Sequence, residues 1–359
     1  MALSVAQAPA ARWTEEKANA WYAAHPWLTG CNFSPSNAIN QLEMWQADTF
    51  DPDTIDRELG YAQSLGFTSV RVFLHDLLWQ QDAEGFCTRI DQFLAIADKH
   101  GIGVMFVPFD SVWDPYPKLG KQRDPKPHVH NSGWVQSPSL DVLKDPAKVD
   151  ALEGYVKGLL SRYAADKRVH AWDLYNEPAN MNGNSYGKLE PKNKPELGLA
   201  LLQKAFQWAR EVNPSQPLTA GVWMGDWSKP DKLAPTTKFM LDNSDVITFH
   251  CYGPLDEMKS RVEPLKRYKR PILCTEYMVR STGCTFQNIL PYFKEQHIAA
   301  YNWGLVAGKT QTNYPWESWE KTLTAEPELW FHEIFRKDGT PYREDEVATI
   351  RKLTGAGKK

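Results

Sequence analysis

The chain has 359 residues, 24% of them charged, and a formal net charge of −3, so it is long enough for a large core and too evenly balanced to be read as a binder of nucleic acid or of an anionic membrane. No apolar run approaches the roughly 20 residues that a membrane helix needs. The five cysteines (Cys31, Cys87, Cys251, Cys274 and Cys284) are odd in number and widely spaced, which excludes a disulfide scaffold or a zinc module and leaves buried free thiols as the expected state, with room for one bridge.

The N-terminal Met1–Ala10 lacks the basic region and long apolar core of a signal peptide. It reads as the start of an exported mature chain, secreted or periplasmic, without excluding the cytoplasm. Residues 1–26 are expected to form a helical cap, with the helix around Trp13–Ala24. A first strand is expected over Trp27–Ser34. Asp51-Pro52-Asp53 then starts a helix, with proline in its first turn and acids at the positive end of the dipole. Thr68–Leu74 reads as strand two, a helix follows from about Arg89 to His100, and Val104–Pro108 reads as strand three.

Residues 110–149 form a long insertion rich in Pro, Gly and Lys. A loop of this length in a compact domain is functional or disordered, and the presence of Trp113, His128, His130 and Trp134 favours function. Such a loop would wall off one end of a groove and make a pocket. A helix over Ala147–Ala165 leads into strand four, His170–Tyr175. Strands are then expected at Leu218–Trp223, Val246–His250, Pro271–Thr275 and Ala299–Leu305. Helices are expected between them, with a last one over Glu326–Phe335 and a final amphipathic segment.

Eight short apolar strands alternating with helices imply a parallel α/β sheet closed into a single-domain (β/α)8 TIM barrel over residues 27–345, with a helical tail at 346–359. The rival open doubly wound sheet would carry a G-x-G-x-x-G turn after its first strand, and the sequence has none.

Catalytic residues in such barrels sit where strands end. Reading those positions gives Asn32 after strand one, Arg71, His75 and Asp76 on strand two, Asp110 and Trp113 after strand three, and Asn176-Glu177-Pro178 after strand four. It then gives Trp223, His250 with Tyr252, Glu276 and Trp303 on strands five to eight. Glu177 and Glu276 would face each other across the barrel mouth. Cleaving a glycosidic bond needs such a pair, one acid to protonate the leaving oxygen and one carboxylate opposite. Asn176 suits a sugar 2-hydroxyl. Arg71 would hold Glu276 ionised, and Tyr252 would donate to the same carboxylate. Glu276 would in turn help to raise Glu177. Trp303 offers a flat ring platform. Two carboxylates and water suffice, so no cofactor and no metal is expected, and the partner is a carbohydrate.

These residues resemble the clan of retaining (β/α)8 glycosidases typified by glycoside hydrolase family 5 cellulases and mannanases. The resemblance rests on Arg71 in Val-Arg-Val-Phe-Leu, on Asn176-Glu177-Pro178, on His250 and Tyr252, on Glu276 in Cys-Thr-Glu-Tyr, and on Trp303. It implies that Glu177 is the acid/base and Glu276 the nucleophile of a β-glycosidase acting on a glucan, mannan or xylan. The chain departs from the family at Asp110, where a His is usual, and His75 would have to substitute from strand two. The stretch Trp330-Phe-His-Glu-Ile-Phe-Arg-Lys-Asp-Gly-Thr-Pro-Tyr342 is similar to family 2 barrels.

Blander readings stand beside these. Arg71 and His250 would be satisfied polar core residues, Cys31, Cys251 and Cys274 would fill space, and His128-x-His130 would be a rim contact and not a metal site. The 15 Trp, 14 Tyr and 15 Phe would be core, or would line sugar subsites through Trp45, Trp79, Trp113, Trp134, Trp223, Trp227, Trp316 and Trp319. A catalytically silent carbohydrate-binding barrel and a transglycosidase using the same residues are the alternative functions. An enolase-type barrel would need clustered acidic metal ligands at the strand ends, and none is evident.

Overall fold

The computed structural model describes residues 10–356; the Met1–Ala10 segment read above lies, but for its last residue, outside them. Eight strands run parallel around a barrel: β1 (Thr29–Asn32), β2 (Ser69–Phe73), β3 (Gly103–Val107), β4 (Val169–Asp173), β5 (Leu218–Thr219), β6 (Ile247–His250), β7 (Ile272–Tyr277) and β8 (Ala299–Trp303). β8 pairs with β1 in register, Thr29 opposite Ala300. β5 is short, and the ring is completed there by a single parallel bridge between Val222 and Phe249.

Side chains alternate across the strands as the two-residue period requires. Val70 and Val72 pack outward against the helices, in one apolar layer with Val104, Phe106, Trp172, Ile247 and Phe249. The inward layer at the N-terminal end of the barrel is Leu28, Met105, Ala171, Val246, Leu273, Ala299 and Tyr301. Trp13, just ahead of the N-terminal helix Glu15–Ala23, and Ala18 within that helix join this layer, and Thr14 caps the helix. The Trp13 amide donates to Asp245 Oδ1 at 2.8 Å, and Arg270 donates to the Trp13 carbonyl at 2.6 Å. One mouth is therefore plugged, and chemistry is confined to the other.

Several helices differ from expectation. The helix expected from Arg89 begins at Asp76 and runs to Lys99 with a break at Asp82. The helix expected over Ala147–Ala165 divides into Pro146–Asp150 and Glu153–Arg162. The expected Glu326–Phe335 helix does not form. The Arg280 guanidinium, buried and paired with Glu346, takes the carbonyls of Trp330, His332 and Glu333 that a helix would use, at 3.2, 2.6 and 2.6 Å. Glu346 belongs to the final amphipathic helix, Glu344–Thr354. All five cysteines are free and buried. Among the described residues no helix is long and apolar enough to cross a membrane.

Removing one partner of a buried ion pair leaves the other uncompensated. Arg280→Ala should therefore cost about 3–5 kcal/mol in denaturant unfolding and loosen the 330–333 loop, whereas a loss under about 1 kcal/mol would contradict this. A second expectation concerns pH. Burial raises the carboxyls of Glu58 and Asp110 to about 7 and of Glu333 to about 8. The native state thus binds protons that the unfolded chain, titrating near about 4, releases earlier. The stabilisation is present below that value and lost as pH rises through about 7 to 8. The thermal midpoint should fall between about pH 5 and pH 8 and level off above that; a midpoint that rises over this range would count against it.

Candidate active site

Three acidic side chains reach the open mouth because their strands slip by one residue. In β7, Leu273 faces inward, so strict alternation would turn Glu276 outward. The pairing of β7 with β6 shifts between Phe249, opposite Cys274, and His250, opposite Glu276, and this bulge re-aims Glu276 into the barrel. Beyond β3 and β4, a separate two-residue ladder sets Phe109 and Asp110 beside Tyr175 and Asn176. There Phe109 and Tyr175 pack in the outer core while Asp110 and Asn176 turn into the mouth. Glu177 follows at φ 46°, a left-handed conformation rare for a non-glycine residue.

Arg71 lies fully buried beneath these groups. Its Nε donates to Asp173 Oδ2 at 3.0 Å. One terminal nitrogen donates to Asn32 Oδ1 at 2.8 Å and Glu276 Oε1 at 2.9 Å, and the other to Asn176 Oδ1 at 2.7 Å. Because a guanidinium only donates, the Asn176 oxygen must face it, and its amide nitrogen is directed to Asp110 Oδ1 at 2.9 Å and toward the mouth. Asp110 also accepts from Val112 N, Trp134 Nε1 and Gln41 Nε2 at 3.1, 2.6 and 3.3 Å. Its acceptor capacity is used by the protein, so Asp110 orients Asn176 and Trp134.

Tyr252 donates to Glu276 Oε2 at 2.7 Å, and His250 Nδ1 lies 2.7 Å from Glu177 Oε1 and 3.6 Å from Glu276 Oε2. One oxygen of Glu177 and one of Glu276 lie within 4.8 Å of each other. Burial raises the Glu276 carboxyl; His250, Arg71 and Tyr252 pull it down and Glu177 adds to the rise, leaving it above the ordinary value. Arg71 and Tyr252 pull it down as expected, but burial outweighs them. Burial draws the His250 imidazole down, but Glu276 and Glu177 outweigh it and leave it raised.

Asn180, which the strand-end reading does not single out, lies in the loop after Pro178 and donates to Glu177 Oε2 at 2.6 Å. That loop is anchored by a buried Lys194–Glu190 pair at 2.6 Å, with Lys194 also donating to the Ser111 carbonyl and Asn182 donating to Glu190. Among the described residues, the ligand-type side chains close enough to share a cation are Glu177, His250 and Glu276. The 2.7 Å His250–Glu177 contact is shorter than the ~3.3 Å between ligand atoms of a tetrahedral metal site, so in this arrangement the two share a hydrogen bond.

A cavity of about 270 Å³ opens over these groups. Its lining includes Asp110, Trp113, Trp134, Asn176, Glu177, Tyr252, Glu276, Trp303 and Trp316. Asn32, Arg71 and His250 stand behind this lining and hold it. His75 is not brought in. It is buried, caps the helix that begins at Asp76 through the Leu77 amide, and so cannot replace the missing strand-three histidine. Trp223 is half-buried against the outer core, away from the lining. Trp45 stacks on Phe50, Trp79 packs on Tyr155 and Trp227 packs on Phe249, so these three serve packing. Trp319 stacks on Trp113 at 5.5 Å between ring centres. His128 and His130 bond Tyr314 through its hydroxyl and carbonyl, as rim contacts.

A family model described as glycosyl hydrolase family 10 matches residues 120–242, a span that contains Glu177 and not Glu276. A β-1,4-xylanase of Dictyoglomus thermophilum is 30% identical over 91 residues, 25% of this chain and 24% of the relative. A probable mannan endo-1,4-β-mannosidase A of Aspergillus flavus is 29% identical over 97 residues, 27% of this chain and 22% of the relative. The chain thus spans about a quarter of the length of the curated relatives it matches.

Similar folds extend further. The GH5_18 structure of Streptomyces cattleya with GlcNAc has a TM-score of 0.60 at 16% identity, covering 92% of this chain and 79% of that one. The β-mannanase of the blue mussel Mytilus edulis gives 0.54 at 14% identity, covering 85% and 94%. The family 5 mannosidase of Rhizomucor miehei gives 0.53 at 14% identity, covering 91% and 92%. Over residues 120–242 by sequence and over nine-tenths of its length by fold, the chain is similar to the (β/α)8 glycoside hydrolases that its strand-end residues resemble.

Proposed function

We propose that the protein is a retaining β-glycoside hydrolase of the (β/α)8 clan, acting on a β-linked mannan- or xylan-type oligo- or polysaccharide, with a glucan as the further substrate class. The observation that carries this reading is the carboxylate pair, whose nearest oxygens lie within 4.8 Å. Retaining enzymes hold the two groups roughly 5–5.5 Å apart, inverting ones roughly 6.5–9.5 Å apart to admit a water.

In this reading Glu276 attacks the anomeric carbon. Arg71 and Tyr252, each donating to one of its oxygens, aim it and stabilise its charge. Glu177 gives a proton to the leaving oxygen, with His250 sharing the proton along their 2.7 Å contact and Asn180 fixing the second oxygen. A covalent glycosyl-enzyme forms on Glu276, and Glu177 then takes a proton from the water that releases the sugar. The free Asn176 N–H faces the position of a 2-hydroxyl, a contact that strengthens as the ring flattens. An intact nucleophile with two donors aimed at it favours catalysis over a silent binding barrel. Transglycosylation would use the same glycosyl-enzyme with a sugar in place of water.

Glu276→Ala should abolish turnover of aryl β-glycosides, tested across the manno, xylo and gluco series; turnover surviving intact would remove the nucleophile assignment. Glu177→Gln should lower kcat/KM by about 10²–10⁴ for poor leaving groups and far less for activated ones; equal losses for both would speak against an acid role. Because burial raises Glu276 and its ionised form is required, the acid limb of kcat/KM should lie above the ordinary value of about 4.3. Arg71→Met should move that limb higher still. A limb at or below the ordinary value would contradict this.

A further inference from the structure

The mouth of the barrel is not an open groove. The loop between β3 and β4 crosses it and docks on the loop after β8. The Asn131 amide donates to the Thr310 carbonyl at 2.7 Å, and the His130 amide donates to Ser318 Oγ at 2.9 Å. On the other flank Asn40 donates to the Gly133 carbonyl at 2.9 Å. Gly133 is pressed so closely on Ile39 that a Cβ there would fall 2.2 Å from its Cδ1. This wall is packed protein: Trp134, His130 and Asn131 are 3%, 2% and 1% exposed. Across the cavity, Gly183 and Asn184 of the Asn180–Ser185 loop are exposed.

The chemistry orients a substrate between these two sides. Glu177 protonates the leaving oxygen, so the leaving group lies along its own loop, the open side held by Asn180. The sugar whose anomeric carbon meets Glu276 then points its far end at the packed wall. The cavity, about 270 Å³, falls just below the ~300–1,000 Å³ of sites that enclose drug-sized ligands. Among the described residues its lining carries Asp110, Glu177 and Glu276 and no Lys or Arg. The guanidinium of Arg71, behind the lining, is buried with its donors engaged.

We propose that the protein removes single neutral sugars from non-reducing ends, the docked 110–149 loop closing the cavity beyond one glycone ring. This rests on the glycosidase reading above. The test uses the wild-type protein with p-nitrophenyl β-monosides and β-biosides of the manno, xylo and gluco series, linear β-mannan and β-xylan, and an aryl β-glucuronide. The expected products are monosaccharides only, with polysaccharide viscosity nearly unchanged. Nitrophenol should appear from biosides after a lag, at a rate at least about tenfold below the monosides because the wall excludes the second ring. The glucuronide should be inert.

Disaccharide released intact from a bioside, or a rapid fall in viscosity, would overturn the closed-pocket proposal while leaving the glycosidase reading standing. Glucuronide turnover at the neutral rate would overturn the charge argument. Release of no sugar from any substrate would remove the glycosidase reading and this proposal with it.

Discussion

The site hangs on one buried cation. Arg71 joins groups from four strands: Asn32 from β1, Asp173 and the Asn176 extension from β4, and Glu276 from β7, with Arg71 itself on β2. A guanidinium out of water costs several kcal/mol unless its donors are met by acceptors in good geometry, and here two carboxylates and two amides meet them. That requirement fixes the depth of Glu276, the amide orientation of Asn176 and, through Asn176, the carboxylate of Asp110. The same arrangement that makes the buried charge tolerable leaves one amide donor and two carboxylates aimed outward.

Strand geometry decides which residues that cation can gather. An ideal two-residue alternation would have turned Glu276 into the helix layer beside Cys274 and Tyr277. The bulge before Glu276, the break after Asp173 and the break at Pro108 each shift the phase by one residue at the mouth, where the ladder hydrogen bonds are ending and irregularity costs least. Positive φ at Glu177, Trp113, Met278 and Glu333 falls in the same rim. Strain of this kind persists only when surrounding bonds over-determine it, and the Arg280 and Lys194 pairs supply those bonds.

How much of this was legible in the sequence follows from range. The eight strands announce themselves as short β-branched runs, and the strand ends pick out Glu177, Glu276, Tyr252, His250 and Trp303, because a barrel assembles its mouth from those positions whatever the loops do. The phase slips are not legible, since alternation alone turns Glu276 the wrong way; only its place at the end of strand seven points to it. Asn180 escaped because nothing local distinguishes it from Asn182 or Asn184. The helix expected at Glu326–Phe335 failed because its carbonyls are claimed by Arg280, some 50 residues earlier. His75 was misplaced because a histidine near a strand end also makes a helix cap, and the longer helix from Asp76 took it. Among the tryptophans, those on the 110–149 and 304–319 loops reach the cavity or its rim, while Trp45, Trp79 and Trp227 lie just outside the strand ends and are taken by the helix layer.

The mechanism requires the two carboxylates to act on opposite faces of one anomeric carbon at short range. Proton NMR of the first sugar released from an aryl β-glycoside tests this directly, before mutarotation blurs the anomers. The β-anomer must appear first if Glu276 forms a glycosyl-enzyme that water then opens. The α-anomer appearing first would mean single displacement by water and would contradict the mechanism drawn from this site.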